Sequence, residues 1–115
     1  MAYASNKMIP ALVADRKEFT GNTMKGRIKG KNAILSTGRM PQEFVDELLS
    51  DIDAMHNESY IYLVYSYTTV IGWWTQENGW KRPMVSYLGD SGKVSTTTSK
   101  HQGMIPESTR LYPVV

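Results

Sequence analysis

The apolar residues between positions 41 and 56 recur at intervals of three and four, which is typical of one face of a helix. They are Phe44, Val45, Leu48, Leu49, Ile52 and Met55. Pro41 suits a first helical turn, because its missing N–H needs no partner there. The pattern predicts one main helix over residues 41–56. Its polar face would carry Asp46, Glu47, Ser50, Asp51 and Asp53.

From Ile61 the apolar spacing becomes two, and β-branched and aromatic residues dominate as far as Trp74. This pattern predicts one long strand over residues 61–74. The sequence Glu77-Asn78-Gly79 predicts a hairpin turn, because Asn-Gly accepts the positive φ angles of a type I′ turn. A second strand is then predicted over residues 80–88, and Pro83 must lie at an edge or a bulge because it cannot donate to the ladder.

Threonine and serine dominate the next segment, residues 93–100, which predicts a third strand after a turn at residues 89–92. Three successive antiparallel strands would then follow the helix. The last residues, 103–115, hold two prolines and are interpreted as a tail that packs back through Ile105 and Leu111.

The region before the helix lacks a helical period. Residues 1–10 are interpreted as a loose N-terminal arm, and residues 11–14 as a short strand. Four glycines follow within eighteen residues, and each costs a helix about 1 kcal/mol relative to alanine. We therefore predict short strands at residues 25–28 and 32–36, joined by a turn at residues 29–31.

These elements predict a single α+β domain over residues 1–115, built as a small twisted antiparallel sheet or partly open barrel with one main helix packed on it. A chain of 115 residues can bury one core. The predicted core residues are Leu48, Leu49, Ile52, Ile61, Leu63, Ile71 and Trp73.

Charge is distributed in three segments, although the net charge is only +2. Residues 1–40 carry eight bases and two acids, residues 41–60 carry six acids and no base, and residues 61–115 carry five bases and three acids. Such segregation is typical either of a fold closed by salt bridges or of a protein with a basic face.

Composition removes several classes of function. The chain has no cysteine, which excludes disulfide scaffolds, thiolate metal sites and cysteine nucleophiles. No apolar stretch approaches the roughly 20 residues of a membrane-spanning helix, so we expect no membrane partner and a cytoplasmic location. The acids Asp46, Asp51 and Asp53 lack metal-ligand spacing and are interpreted as a solvated face. We expect neither a metal nor a cofactor.

Aromatic side chains concentrate between residues 60 and 80, where seven tyrosines and tryptophans lie. Nucleic-acid bases can stack on such rings while neighbouring cations bind phosphates, although aromatic residues also fill small cores. The candidate cations are Lys25, Arg27, Lys29, Lys31, Lys81 and Arg82. Trp73 and Trp74 must point to opposite faces of a strand. One of them therefore needs cover from the helix, a nucleic acid or a second copy of the chain, which favours a homo-oligomer as well.

The segment Ser95-x-Thr97-Thr98-Ser99-Lys100-His101-Gln102 offers hydroxyl, ammonium, imidazole and amide groups that can bind an anion or a nucleotide. A solvent-facing strand rich in threonine accounts for the same residues. The segment also belongs to a wider set of motifs, with Phe19-x-Gly21-Asn22-x-x-x-Gly26, Tyr65-Ser66-Tyr67-x-Thr69-x-Ile71-x-Trp73 and Trp80-x-x-Pro83.

Over about half the chain these motifs resemble a group of small uncharacterised proteins of bacteriophages, particularly those of actinobacteria, and of their hosts. The resemblance implies a non-enzymatic phage or prophage accessory protein. It would act in the host cytoplasm, where it binds and blocks a host protein or a small nucleotide in host takeover or anti-defence. The candidate binding residues are Trp74, Thr97, Thr98, Ser99, Lys100, His101, Gln102 and Asn22.

Two other functions stay open at this point. One is a nucleic-acid-binding module that uses the aromatic strand and the basic N-terminal segment. The other is a small hydrolase or nuclease with His101 as its general acid or base, since an imidazole titrates near neutral pH.

Overall fold

The computed structural model describes residues 4–5, 7–32, 36–38, 40, 42–83, 102–106 and 109–111. They form the helices α1 (Ile9–Ala14) and α2 (Gln42–Ala54) and the strands β1 (Phe19–Thr20), β2 (Met24–Gly30), β3 (Tyr60–Ser66), β4 (Thr69–Thr75), β5 (Gly79–Pro83) and β6 (Thr109–Leu111). One sheet holds the strands in chain order, antiparallel from β1 to β5 and parallel between β5 and β6. The predicted α+β fold is confirmed. No helix in these ranges is long and apolar enough to cross a membrane.

Helix α2 confirms the predicted main helix, but its buried face is turned by about one residue from the expected stripe. Phe44 and Leu48 are buried, as is Met55 just after the helix, whereas Leu49, a predicted core residue, is 49% exposed. Asp51, predicted on the solvated face, is only 6% exposed. Polar partners on the sheet account for this rotation, as described below. The other predicted core residues are buried or partly buried: Leu48, Ile52, Ile61, Leu63, Ile71 and Trp73.

The single long strand predicted over residues 61–74 is wrong, because this segment is the hairpin of β3 and β4. The two strands are joined by Tyr67 and Thr68, and Tyr67 has a φ of +55°. Neither residue is a glycine, asparagine or proline, so no turn signal interrupts the β-rich pattern. Val64 pairs with Gly72 and Tyr65 with Val70, which leaves Ile71 as the extra residue of a β-bulge.

The strand predicted at residues 11–14 is also wrong, since these residues belong to α1. Arg16 ends this helix with a φ of +54°, and the N–H of Lys17 donates to the carbonyl of Leu12 at 2.9 Å. Within the predicted loose arm, the described residues Ala4 and Ile9 are buried. These two positions are therefore packed against the domain.

Strand β2 contains the predicted strand at 25–28 and extends past it. The turn predicted at residues 29–31 is wrong, because Gly30 still pairs with Tyr60. Residues 33–35 of the strand predicted at 32–36 lie outside the described residues, and Asn32 and Ser36 are not in a strand.

The hairpin predicted at Asn78-Gly79 is confirmed, but its predicted type I′ turn is wrong. Gly79 pairs with Thr75, so residues 76–78 form a three-residue loop, and Gly79 has a φ of +68° whereas Asn78 has no positive φ. Strand β5 ends its described course at Pro83, which lies beside Leu111 of β6. The rest of the predicted strand 80–88, the turn 89–92 and the strand 93–100 lie outside the described residues. The C-terminal tail packs back as predicted, because Ile105 is buried and Leu111 packs against the core.

Register places different residues on the two faces of the sheet. Leu63, Trp73 and Lys81 are successive cross-strand partners on the face that α2 covers. Tyr62, Trp74 and Trp80 form the equivalent row on the opposite face. On β2, the partner of Leu63 is Arg27, so the alternate cations of β2 share the α2 face of the sheet.

Candidate functional site

A cleft of about 300 Å³ lies on the α2 face, over β2 and the β3–β4 turn. Its lining residues are Lys25, Arg27, Lys29, Ser36, Tyr65, Tyr67 and Thr68. The three cations alternate along β2, which places them on one face about 7 Å apart. None of these lining residues is acidic. The cleft is therefore a concentration of positive charge with two aromatic rings beside it.

Arg27 is the fixed cation of the cleft. Its guanidinium donates to the carbonyl oxygens of Phe19 and Gly26 and, at 2.8 Å, to the Thr20 hydroxyl. These three contacts hold the group in place along the edge formed by β1 and β2. Arg27 thus supplies a preorganised positive field at the β1 side of the cleft.

Lys25 and Lys29 flank Arg27 and are differently placed. Neither ammonium group has a hydrogen-bond or ion-pair partner among the described residues. Lys25 is exposed and Lys29 is partly exposed. Both are therefore able to donate to an anion that enters the cleft.

Two tyrosines line the cleft: Tyr65 lies on β3, and Tyr67 lies in the turn that follows it. Burial raises the pKa of Tyr65, while the Arg27 charge opposes this effect. The Tyr65 hydroxyl is consequently protonated at neutral pH and available as a donor. Tyr67 is 57% exposed, and its N–H donates to the carbonyl of Thr23 at 2.6 Å.

The segment that holds Ser36 packs against the end of the β3–β4 hairpin. The N–H of Val70 donates to the carbonyl of Thr37 at 3.3 Å. Gly38 has a φ of +64°, and a Cβ there would lie 2.3 Å from the carbonyl oxygen of Thr68. Only glycine allows this approach, which holds the segment of Ser36 beside the cleft.

The three other predicted cations are engaged within the fold and do not line the cleft. Lys31 donates to the carbonyl of Met55, just after α2, at 2.9 Å. The guanidinium of Arg82 donates to the backbone carbonyl of Gln102 at 2.9 Å. These two side chains therefore have a structural role instead of the predicted contact with nucleic acid.

Lys81 is the third of these cations, and it pairs with two carboxylates of α2. Its ammonium lies 2.8 Å from Glu47 and 2.9 Å from Asp51. Burial lowers the pKa of Lys81, but the hydrogen bonds and charges of both carboxylates outweigh it, so that the pKa is raised. Asp51 also accepts from the indole N–H of Trp73 at 2.8 Å. This network explains why Asp51 faces the sheet.

Trp74 and Gln102, two predicted binding residues, have partners within the chain. The Arg16 guanidinium lies 4.1 Å from the centre of the Trp74 ring, and the Tyr60 ring is 5.5 Å away. The amide of buried Gln102 donates to the carbonyls of Ile71, the bulge residue, at 3.0 Å and of Pro83 at 2.8 Å. Trp74 is therefore covered without a partner molecule, and Gln102 serves the fold.

Of the remaining predicted binding residues, the structure describes Asn22 alone. Asn22 is exposed in the turn between β1 and β2 and is not a lining residue. Outside the described residues lie Thr97, Thr98, Ser99, Lys100 and His101. Over the ranges that the structure describes, no group of histidine and acidic side chains could hold a metal ion.

Sequence reasoning did not assign Tyr65, Tyr67, Thr68 and Ser36 to the site. The tyrosines were recognised as possible stacking groups, but their place beside the β2 cations depends on the unpredicted turn at residues 67–68. Ser36 has no signal in the sequence, because only tertiary packing brings it to the cleft.

Comparison with known proteins identifies a family but no function. Residues 8–109 match a family of unknown function (DUF8033), and the chain belongs to this family. No curated protein and no solved structure matches the chain. The family match spans every residue that lines the cleft.

Proposed function

We propose that this member of the family binds a nucleic-acid strand in the cleft over β2. One observation carries the proposal: Lys25, Arg27 and Lys29 open into one cleft together with Tyr65 and Tyr67, and none of the described lining residues is acidic. Of the functions expected from the sequence, this is the nucleic-acid-binding module. The proposed site uses the three cations of β2 and does not include Lys31, Lys81 and Arg82.

The arrangement fits the chemistry of a phosphodiester strand. A row of cations on alternate strand positions can follow successive phosphates, and each phosphate that is neutralised releases condensed counterions. Arg27 supplies a charge whose position is set before binding, which limits the ordering cost. The hydroxyls of Ser36, Thr68 and Tyr65 add donors that phosphate or sugar oxygens can accept from.

The test is binding of a fluorescently labelled single-stranded oligonucleotide at low salt, followed by anisotropy. We expect Lys25→Glu/Lys29→Glu to lose at least about tenfold in affinity, because two phosphate contacts are removed and repulsion replaces them. The matched control is Lys7→Glu/Lys17→Glu, which changes the net charge equally at exposed lysines off the cleft. The proposal fails if the unmodified protein does not bind, or if both double variants lose affinity equally.

The host-directed role in phage takeover or anti-defence, the cytoplasmic location and the homo-oligomer stay predictions. In that role the predicted target is a host protein or a small nucleotide, whereas nucleic-acid binding is the alternative function predicted from the sequence. The homo-oligomer rested on an uncovered tryptophan. Because Arg16 and Tyr60 cover Trp74, this side chain gives the homo-oligomer no support.

A further inference from the structure

We propose that Tyr67 makes the cleft selective for unpaired nucleotides, by stacking its ring on a base whose phosphates lie along β2. This inference rests on the proposed function and deepens it from nucleic acid to single strands. It is carried by the backbone conformation of Tyr67, by its exposure and by its place at the cleft.

The backbone of Tyr67 is in the left-handed region, with a φ of +55°. Bulky side chains rarely occupy this region, and a two-residue hairpin turn ordinarily places glycine, asparagine or aspartate there. The surrounding contacts hold this conformation: the Tyr67 N–H donates to Thr23, and Gly38 packs against the next carbonyl. Strained residues held in this way occur preferentially at functional sites.

Core packing does not account for an aromatic ring at this position. Tyr67 is 57% exposed, in contrast to Tyr62, which is completely buried on the same strand pair. Tyr67 lines the cleft together with Lys25 and Lys29. An exposed ring beside lysine side chains is the combination by which proteins bind single strands, with the base on the ring and the phosphates on the cations.

The cleft is small and open, with a volume of about 300 Å³ that is at the small end of ligand sites. In a duplex, moreover, each base already stacks on its neighbours, so no base face is free for Tyr67. Only an unpaired nucleotide can stack its base on the ring while its phosphates contact the cations.

The test compares Tyr67→Asn with Tyr67→Phe in the full chain, using a labelled oligonucleotide as a single strand and as a duplex. Asparagine accepts a positive φ, so Tyr67→Asn removes the ring without opposing the turn. We expect its affinity for the single strand to fall roughly 5- to 150-fold, with an unchanged or raised Tm. Tyr67→Phe keeps the ring and should bind within about twofold of the unmodified protein.

The outcomes separate the two proposals. If the unmodified protein binds neither nucleic acid, the proposed function itself fails. If it binds single strand and duplex equally, or if Tyr67→Asn binds the single strand as tightly as the unmodified protein, the strand-binding cleft stands and the role of Tyr67 is refuted. Equal losses in Tyr67→Phe and Tyr67→Asn, or a lower Tm in Tyr67→Asn, would also refute stacking.

Discussion

The hydroxyl of Tyr62 donates to the carbonyl of Lys17 at 2.6 Å, close above the backbone of Gly26. A Cβ at Gly26 would lie 2.2 Å from this hydroxyl and 2.6 Å from the Phe19 ring. The glycine thus lets two aromatic side chains pack on β2. The motif residues Phe19 and Gly26 have this structural reason to occur together, since they are also cross-strand partners.

Because of Tyr62, we expect the folded protein to lose stability at alkaline pH. Its folded-state pKa is raised, first by burial and then by the Glu18 charge, while Arg27 opposes the shift; the pKa values of Tyr65 and Lys81 are raised as well. Below the ordinary tyrosine pKa of about 10, Tyr62 and Tyr65 are protonated in both states. Above it the unfolded chain releases their protons first, so the free energy of unfolding falls, by up to about 1.4 kcal/mol per pH unit and group.

Urea denaturation between about pH 8 and about pH 11 measures this effect. Tyr62→Phe should cost about 1 kcal/mol at the lower pH, through the lost hydrogen bond, and should show a shallower decline toward high pH. A decline of unchanged steepness in this variant would contradict the assignment to Tyr62.

Gly38 and Gly30 allow a matched comparison of two glycine-to-alanine substitutions. Alanine at Gly38 must adopt a φ of +64° and approach the Thr68 backbone, whereas alanine at Gly30 meets nothing within 4 Å. We expect Gly38→Ala to destabilise the fold by about 2 kcal/mol, and Gly30→Ala to change it by less than about 1 kcal/mol. Thermal denaturation compares the two, and a similar Tm for both variants would refute the close packing of Gly38.

At the scale of elements, α2 is fixed to the sheet by charge as well as by apolar packing. The side chains of Lys81 and Asp51 are 14% and 7% exposed, whereas that of Glu47 is 43% exposed. Removing the cation would leave the buried carboxylate of Asp51 with only neutral donors, Trp73 and Asn78. Breaking such a pair costs far more than the pair itself contributes.

We therefore expect Lys81→Met to lower the free energy of unfolding by about 3 kcal/mol, and Glu47→Gln by less than about 1 kcal/mol because Glu47 is largely solvated. The double variant Lys81→Met/Asp51→Asn should recover part of the loss, since it removes the unpaired charge. Chemical denaturation measures all three variants. Equal effects of Lys81→Met and Glu47→Gln would show that the ion pair does not hold α2.

Whether an element can be predicted depends on the signal that it carries in the sequence. Helix α2 has a helical apolar period and the β4–β5 hairpin has Asn78-Gly79, so both were predicted. The β3–β4 turn was missed because Tyr67 occupies a position that ordinarily signals itself by glycine or asparagine. Asp51 was placed on the wrong face because its burial depends on Lys81, thirty residues further along the chain.

At the scale of the whole molecule, the charges of the three sequence segments are used in two ways: some form ion pairs inside the fold, and others lie on an open face. Acids of α2 pair with Lys81 from the C-terminal segment, which is the fold closed by salt bridges. The cations of β2 remain on an open face, which is the basic surface. Alternation along β2 was sufficient to place Lys25, Arg27 and Lys29 together, but the walls of the cleft come from the hairpin turn and Ser36, which only tertiary packing brings near.

The salt dependence of oligonucleotide binding tests the central proposal most directly. If one single strand contacts three cations, the logarithm of its affinity should fall against the logarithm of salt concentration with a slope of about −2, roughly a 20-fold loss between 50 and 200 mM. A slope near zero, or no binding at the lowest salt, would contradict a strand-binding cleft on β2.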